Sequence, residues 1–155
     1  MERSAFDEAK EQFELAWKAM EEEEFTSALA HLEKAFALHD DPDWHSCLGL
    51  CIAKERGEFL VAESLCLTSI EHDDANPLHY LNLGKVYLAA GKKREALDTL
   101  RRGMDKGGSE RILSLLVQIG TRHLQVFRFL KRSHPLNKYL GLLIHRREIR
   151  RRGRP

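Results

Sequence analysis

Cys47 and Cys51 stand four residues apart with His45 just ahead of them, a spacing at which one helical turn could aim two thiolates and an imidazole at a soft cation. A closed zinc site needs a fourth ligand, and the remaining cysteine, Cys66, supplies no paired-knuckle spacing. Cysteine is also an ordinary small apolar core residue. No metal is therefore assigned, and the three thiols read as reduced, in neither a disulfide framework nor a structural zinc site. Of the eight histidines, His31, His39, His72 and His79 fall at helix ends or on polar faces, where solvated or capping roles suit them. Candidate nucleophiles and acid–base groups are scattered rather than convergent. There is no glycine-rich phosphate loop, and Gly107-Gly108 reads as a helix stop. The expectation is a protein that is not an enzyme, with no catalytic residue and no cofactor.

The second chemical feature is a basic run containing Arg146, Arg147, Arg150, Arg151 and Arg152. Residues 1–120 carry 14 Lys and Arg against 23 Asp and Glu, whereas residues 121–155 carry 11 against Glu148 alone. An acidic body thus precedes a basic tail, an asymmetry that speaks to partners and not to fold. Such a tail is solvated by default. It could also contact nucleic acid through sequence-blind counterion release, or an anionic membrane surface. A further reading docks it on acidic stretches of the body, Glu21 to Glu24 and Asp40-Asp41-Asp43.

The elements that must position these groups follow from a repeat. The 155 residues, 43% of them apolar, suit one domain, and no run of eighteen apolar residues occurs. The start, Met1-Glu2-Arg3-Ser4, leads into an acidic amphipathic stretch instead of an apolar signal region, so a cytoplasmic protein without membrane insertion is expected. A shift of 34 residues aligns Ala28 with Ala62 and Ala96, Leu32 with Cys66 and Leu100, and Gly57 with Gly91. Units of 9–42, 43–76 and 77–110 result, each with a helical apolar period broken once by a turn. The pattern predicts helices near 5–21, 25–38, 42–56, 59–72, 77–90 and 93–105. Pro42 behind Asp41 and Pro77 behind Asn76 read as first-turn prolines following capping side chains. An amphipathic helix over 109–119 would cap the stack.

In Pro77, Tyr80, Leu83-Gly84, Tyr87, Gly91, Ala96 and Leu100, the third unit resembles the tetratricopeptide repeat (TPR) family. The first unit matches it in Leu15, Ala16, Ala19, Phe25, Ala28, Leu32 and Ala35; the second departs, with Gly49 one residue early and Leu50 at the small site. The resemblance implies an all-α solenoid, a right-handed superhelix of helix pairs whose first helices line a concave groove for a peptide. By register that groove is Phe13, Trp17, Met20, Trp44, Leu48, Cys51, Leu81, Lys85 and Leu88. Some members clamp a partner's terminal carboxylate with Lys, Arg and Asn; here Phe13, Trp17, Leu48 and Leu78 take most of those places, which argues against a clamp.

An exposed stripe of Phe13, Trp17, Trp44, Leu48 and Leu81 would need a cover. One occupant is a foreign apolar or amphipathic peptide, making the protein an adaptor. Small three-unit family members that shield secreted bacterial proteins have a similar length and an apolar groove, which gives a chaperone-like version of this reading. The other occupant is the chain's own tail. There, in a basic extension over 121–155, a helix near 135–150 carries Leu136, Tyr139, Leu140, Leu143 and Ile144 and could dock in its own groove or a neighbour's, making a homo-oligomer. Nucleic-acid association through the basic run is the third reading.

Overall fold

Ser4 opens the first helix with a reciprocal cap: its Oγ accepts from the Asp7 amide at 3.1 Å, and the Asp7 carboxylate accepts from the Ser4 amide at 3.3 Å. The computed structural model describes residues 4–119. In that span lie α1 (Ala5–Glu21), α2 (Phe25–Leu38), a 3-10 turn (Pro42–Trp44), α3 (His45–Arg56), α4 (Phe59–His72), α5 (Pro77–Ala89), α6 (Lys93–Asp105) and α7 (Glu110–Gln118). No strand occurs among the described residues. The sequence places the tail features, including Leu136 to Ile144 and Arg146 to Arg152, outside that span.

The helices pack as α1 with α2, α3 with α4, and α5 with α6, while α3 and α4 both lie against α5 and α7 rests on α6. Each pair is joined by a tight turn with one left-handed residue at the same place in the 34-residue period: Glu23 (φ 59°), Gly57 (φ 67°) and Gly91 (φ 75°). Glycine adopts that conformation freely; glutamate does so at a steric cost. The repeated alanines Ala28, Ala62 and Ala96 are wholly buried, as close helix contact requires.

The irregular second unit is explained by an exchange of size. Ala16 and Leu32 in the first unit correspond by register to Leu50 and Cys66 in the second and to Gly84 and Leu100 in the third. All are buried, and Leu50 and Cys66 share one core cluster. A methyl group on Gly84 would stand 2.6 Å from Leu100 Cδ2, so the large partner fills the space that the small one leaves. In the second unit the large residue has moved to α3 and the small one to α4, which conserves volume.

One boundary differs from the periodic reading. Pro42 begins a 3-10 turn, and the α-helix starts only at His45. Asp41 caps this turn by accepting from the Asp43 amide at 3.0 Å. Asn76 does the same for Leu78, also at 3.0 Å, where Pro77 opens a regular helix.

Candidate functional site

The 3-10 turn carries Trp44 inward. Its ring stacks on Phe13 with centroids 4.6 Å apart and planes 11° from parallel, and meets Phe36 edge-on at 6.3 Å. Trp44 joins Ala9 and Ala35 in a core cluster and is only 8% exposed. It is therefore a joint between the first two helix pairs and not part of an exposed stripe. Cys51 also leaves the expected surface, being fully buried among Ala16, Leu29 and Leu32. Burial pushes the Cys47 and Cys51 thiols up to about 12, and the Cys66 thiol higher still, so none offers a thiolate near neutral pH. His45 turns away from the cysteines, its Nε2 lying 2.6 Å from Asp40 Oδ1. His45 and the two cysteines are therefore not brought together as one ligand cluster among the described residues.

What does form is a groove of about 440 Å³ between α1, α5 and α7. Trp17 and Met20 from α1 face Leu78, Leu81 and Lys85 from α5, and Arg111 from α7 closes one side. Leu81 lines this groove yet is 3% exposed, so it serves as floor and not as an outward anchor. Phe13, Leu48 and Leu88 are partly exposed but do not line the cavity. Asn82 also lines it, with its amide donating to Ser46 Oγ at 3.2 Å and to Cys47 Sγ at 3.6 Å. Lys85 is half-buried; burial lowers its pKa first, and the nearby Arg111 and Lys54 charges lower it further. The Arg111 guanidinium donates to Glu21 at 2.7 Å and lies 5.9 Å from the Trp17 ring centroid, so the first and last described helices are bridged across the groove.

No family model matches the sequence, and no curated protein matches it closely. Solved structures do. The Sgt2 TPR domain from Aspergillus fumigatus superposes with a TM-score of 0.60 at 17% identity, covering 77% of this chain and 82% of that one. The Arabidopsis OM64 TPR domain gives 0.60 at 15% identity, over 78% of this chain and all of that domain. The chain has the tetratricopeptide-repeat fold. A third TPR structure, the first TPR of Spaghetti (RPAP3) bound to the HSP90 peptide SRMEEVD, superposes at 0.57 with 19% identity over 74% of this chain and 91% of that one.

Within this TPR stack the sequence register finds Trp17, Met20, Leu81 and Lys85, which the fold brings together. It misses Arg111, read only as part of a capping helix; Leu78, already placed on the groove face among the replaced clamp positions, lines the groove as well. Their apposition depends on how far the TPR stack curves, which no local spacing encodes. No helix of the described residues is long and apolar enough to cross a membrane.

Proposed function

We propose that this TPR stack is a non-catalytic adaptor that holds an apolar or amphipathic peptide segment in the groove between α1, α5 and α7. The observation carrying this is the groove itself: an apolar wall of Trp17, Met20, Leu78 and Leu81 beside the half-buried cation of Lys85, with a polar rim that includes the carboxylates of Glu21 and Glu23. Apolar anchors would fill the wall, where burial contributes about 25 cal/mol per Å² before association costs. A peptide carboxylate or carbonyl would meet Lys85. Arg111 is held by Glu21 in an exposed pair, of a kind worth at most about 1 kcal/mol, so the groove opens at little cost.

A TPR neighbour carries the acidic peptide SRMEEVD. Here Phe13, Trp17, Leu48 and Leu78 stand where the carboxylate clamp would be, and Arg111 is already paired. Selectivity for apolar over acidic termini follows. The test is titration of the full chain with an amphipathic helical peptide and with SRMEEVD, read by Trp fluorescence and calorimetry. The amphipathic peptide should bind at least tenfold tighter, and Trp17→Ala should abolish that binding while leaving the circular dichroism unchanged. Equal affinity for both peptides, or binding insensitive to Trp17→Ala, refutes the reading. If peptide binds only after truncation before Ser133, the groove's resident occupant is the chain's own tail.

A further inference from the structure

At the edge of the stack where the second and third helix pairs join, three chemically matched side chains converge from separate elements. Asp43 comes from the 3-10 turn, Asp73 from the residue capping the end of α4, and His79 from the first turn of α5. One ligand atom from each lies within 4.8 Å of the other two. His79 is completely buried, and its Nε2 has no hydrogen-bond partner. The nearest carboxylate oxygen, Asp43 Oδ1, is 3.9 Å away, beyond hydrogen-bonding reach.

The ring cannot turn to relieve this. Its Nδ1 is 2.9 Å from Ser46 Oγ, which also accepts from the Asn82 amide at 3.2 Å. The Ser46 backbone amide in turn donates to Ser69 Oγ at 2.8 Å, and the Ser69 hydroxyl donates to the Pro42 carbonyl at 2.7 Å. Both tautomers leave a conflict. With the proton on Nδ1, donated to Ser46, the Nε2 lone pair faces two carboxylates. With the proton on Nε2, a buried N–H lacks an acceptor. A cation between the three atoms resolves the first case, and the bond from Nδ1 to Ser46 is then the outer-shell contact that orients a ligating imidazole.

We propose that Asp43, Asp73 and His79 form a binding site for a divalent transition cation of the zinc class. Imidazole and carboxylate donors suit such an ion, and no thiolate takes part. Bonds of about 2.0–2.2 Å put neighbouring ligand atoms of a tetrahedron roughly 3.4 Å apart. The observed 3.9 Å to Asp43, and separations of up to 4.8 Å within the set, close by rotation of the two partly exposed aspartates, while His79 stays fixed. His72, whose Nδ1 is 2.9 Å from Asp43 Oδ1, steadies that carboxylate from outside. The ion would staple the first and last turns of the second helix pair to the first turn of the third, setting the stiffness of the stack at that joint.

The experiment is zinc chloride titrated into the EDTA-stripped full chain, with thermal midpoint and calorimetry as readouts, beside Asp43→Asn and Asp73→Asn. Because the tail and the cysteines could bind zinc elsewhere, the variants decide the site. Expected is saturable one-to-one binding that raises the midpoint by roughly 5 °C or more in excess zinc, reverses with EDTA, and weakens at least tenfold in each variant. The His79 Nε2 resonance should shift on zinc addition with Nδ1 still protonated. If Asp43→Asn fails to fold, Asp73→Asn and the His79 resonance carry the test. A wild-type chain with no saturable response, or a response retained in Asp73→Asn, overturns the proposal.

Discussion

Exchanging the sizes of Leu50 and Cys66 gives a direct test of how the second unit is built. Leu50 is 1% exposed and Cys66 fully buried, so Leu50→Ala alone opens a cavity costing about 2–5 kcal/mol. Cys66→Leu alone inserts two heavy atoms beside Gly49, where even a single added methyl would sit 3.2 Å from Cys66 Sγ; overpacking of this kind costs about 1–3 kcal/mol. Independent effects would sum to roughly 3–8 kcal/mol. The double variant Leu50→Ala/Cys66→Leu instead recreates the small–large arrangement of Ala16 with Leu32 and Gly84 with Leu100. It should lie within about 2 kcal/mol of the wild type, so the favourable coupling is at least about 1 kcal/mol and grows with the size of the single losses. Urea unfolding followed by far-ultraviolet circular dichroism, with equal m-values across the four proteins, measures the cycle. A double variant whose loss equals the sum of the single losses to about 0.5 kcal/mol refutes the size-exchange reasoning.

Glu23→Gly should stabilise the chain by about 0.5–1 kcal/mol, because relief of a left-handed glutamate outweighs the added chain entropy of glycine; a lower calorimetric midpoint would contradict this. Trp44→Ala should cost about 3–5 kcal/mol of stability, in contrast to the groove-facing Trp17, and chemical denaturation of the two variants separates the roles. The thiols Cys47 and Cys51, ordinarily near 9.0 and held up to about 12 in the fold, retain their protons after the unfolded chain has released them. Stability is therefore fully present below about pH 9 and falls between there and about pH 12, by up to about 1.4 kcal/mol per unit for each thiol. Alkaline denaturation curves check the sign, and substituting Cys47 by Ala should flatten them.

The helices were legible because their signals are local. Apolar spacing, the prolines behind Asp41 and Asn76, and the glycines at 57 and 91 each act within a turn or two, and a 34-residue period repeats them. The TPR resemblance rests on the same small and aromatic positions, and the solved TPR structures show the fold that it implies. Even the anomaly at Gly49 and Leu50 is visible in the alignment of units, although only packing explains it, since Cys66 shrinks across the helix pair. The candidate metal joint had no sign in the sequence: Asp43, Asp73 and His79 come from three separate elements, and no spacing could reveal that the buried His79 would meet the two aspartates.

The sequence alone therefore determined the helix pairs and their period, because periodic burial and turn chemistry are properties of neighbouring residues. Only the tertiary structure decided which of those residues the groove exposes. Trp44 is withdrawn by a 3-10 turn into a stack with Phe13, and Leu81 sinks to the floor. Arg111 reaches Glu21 across 90 residues of chain. These placements depend on the cumulative curvature of successive helix pairs, a sum of small packing rotations that no single segment of sequence records.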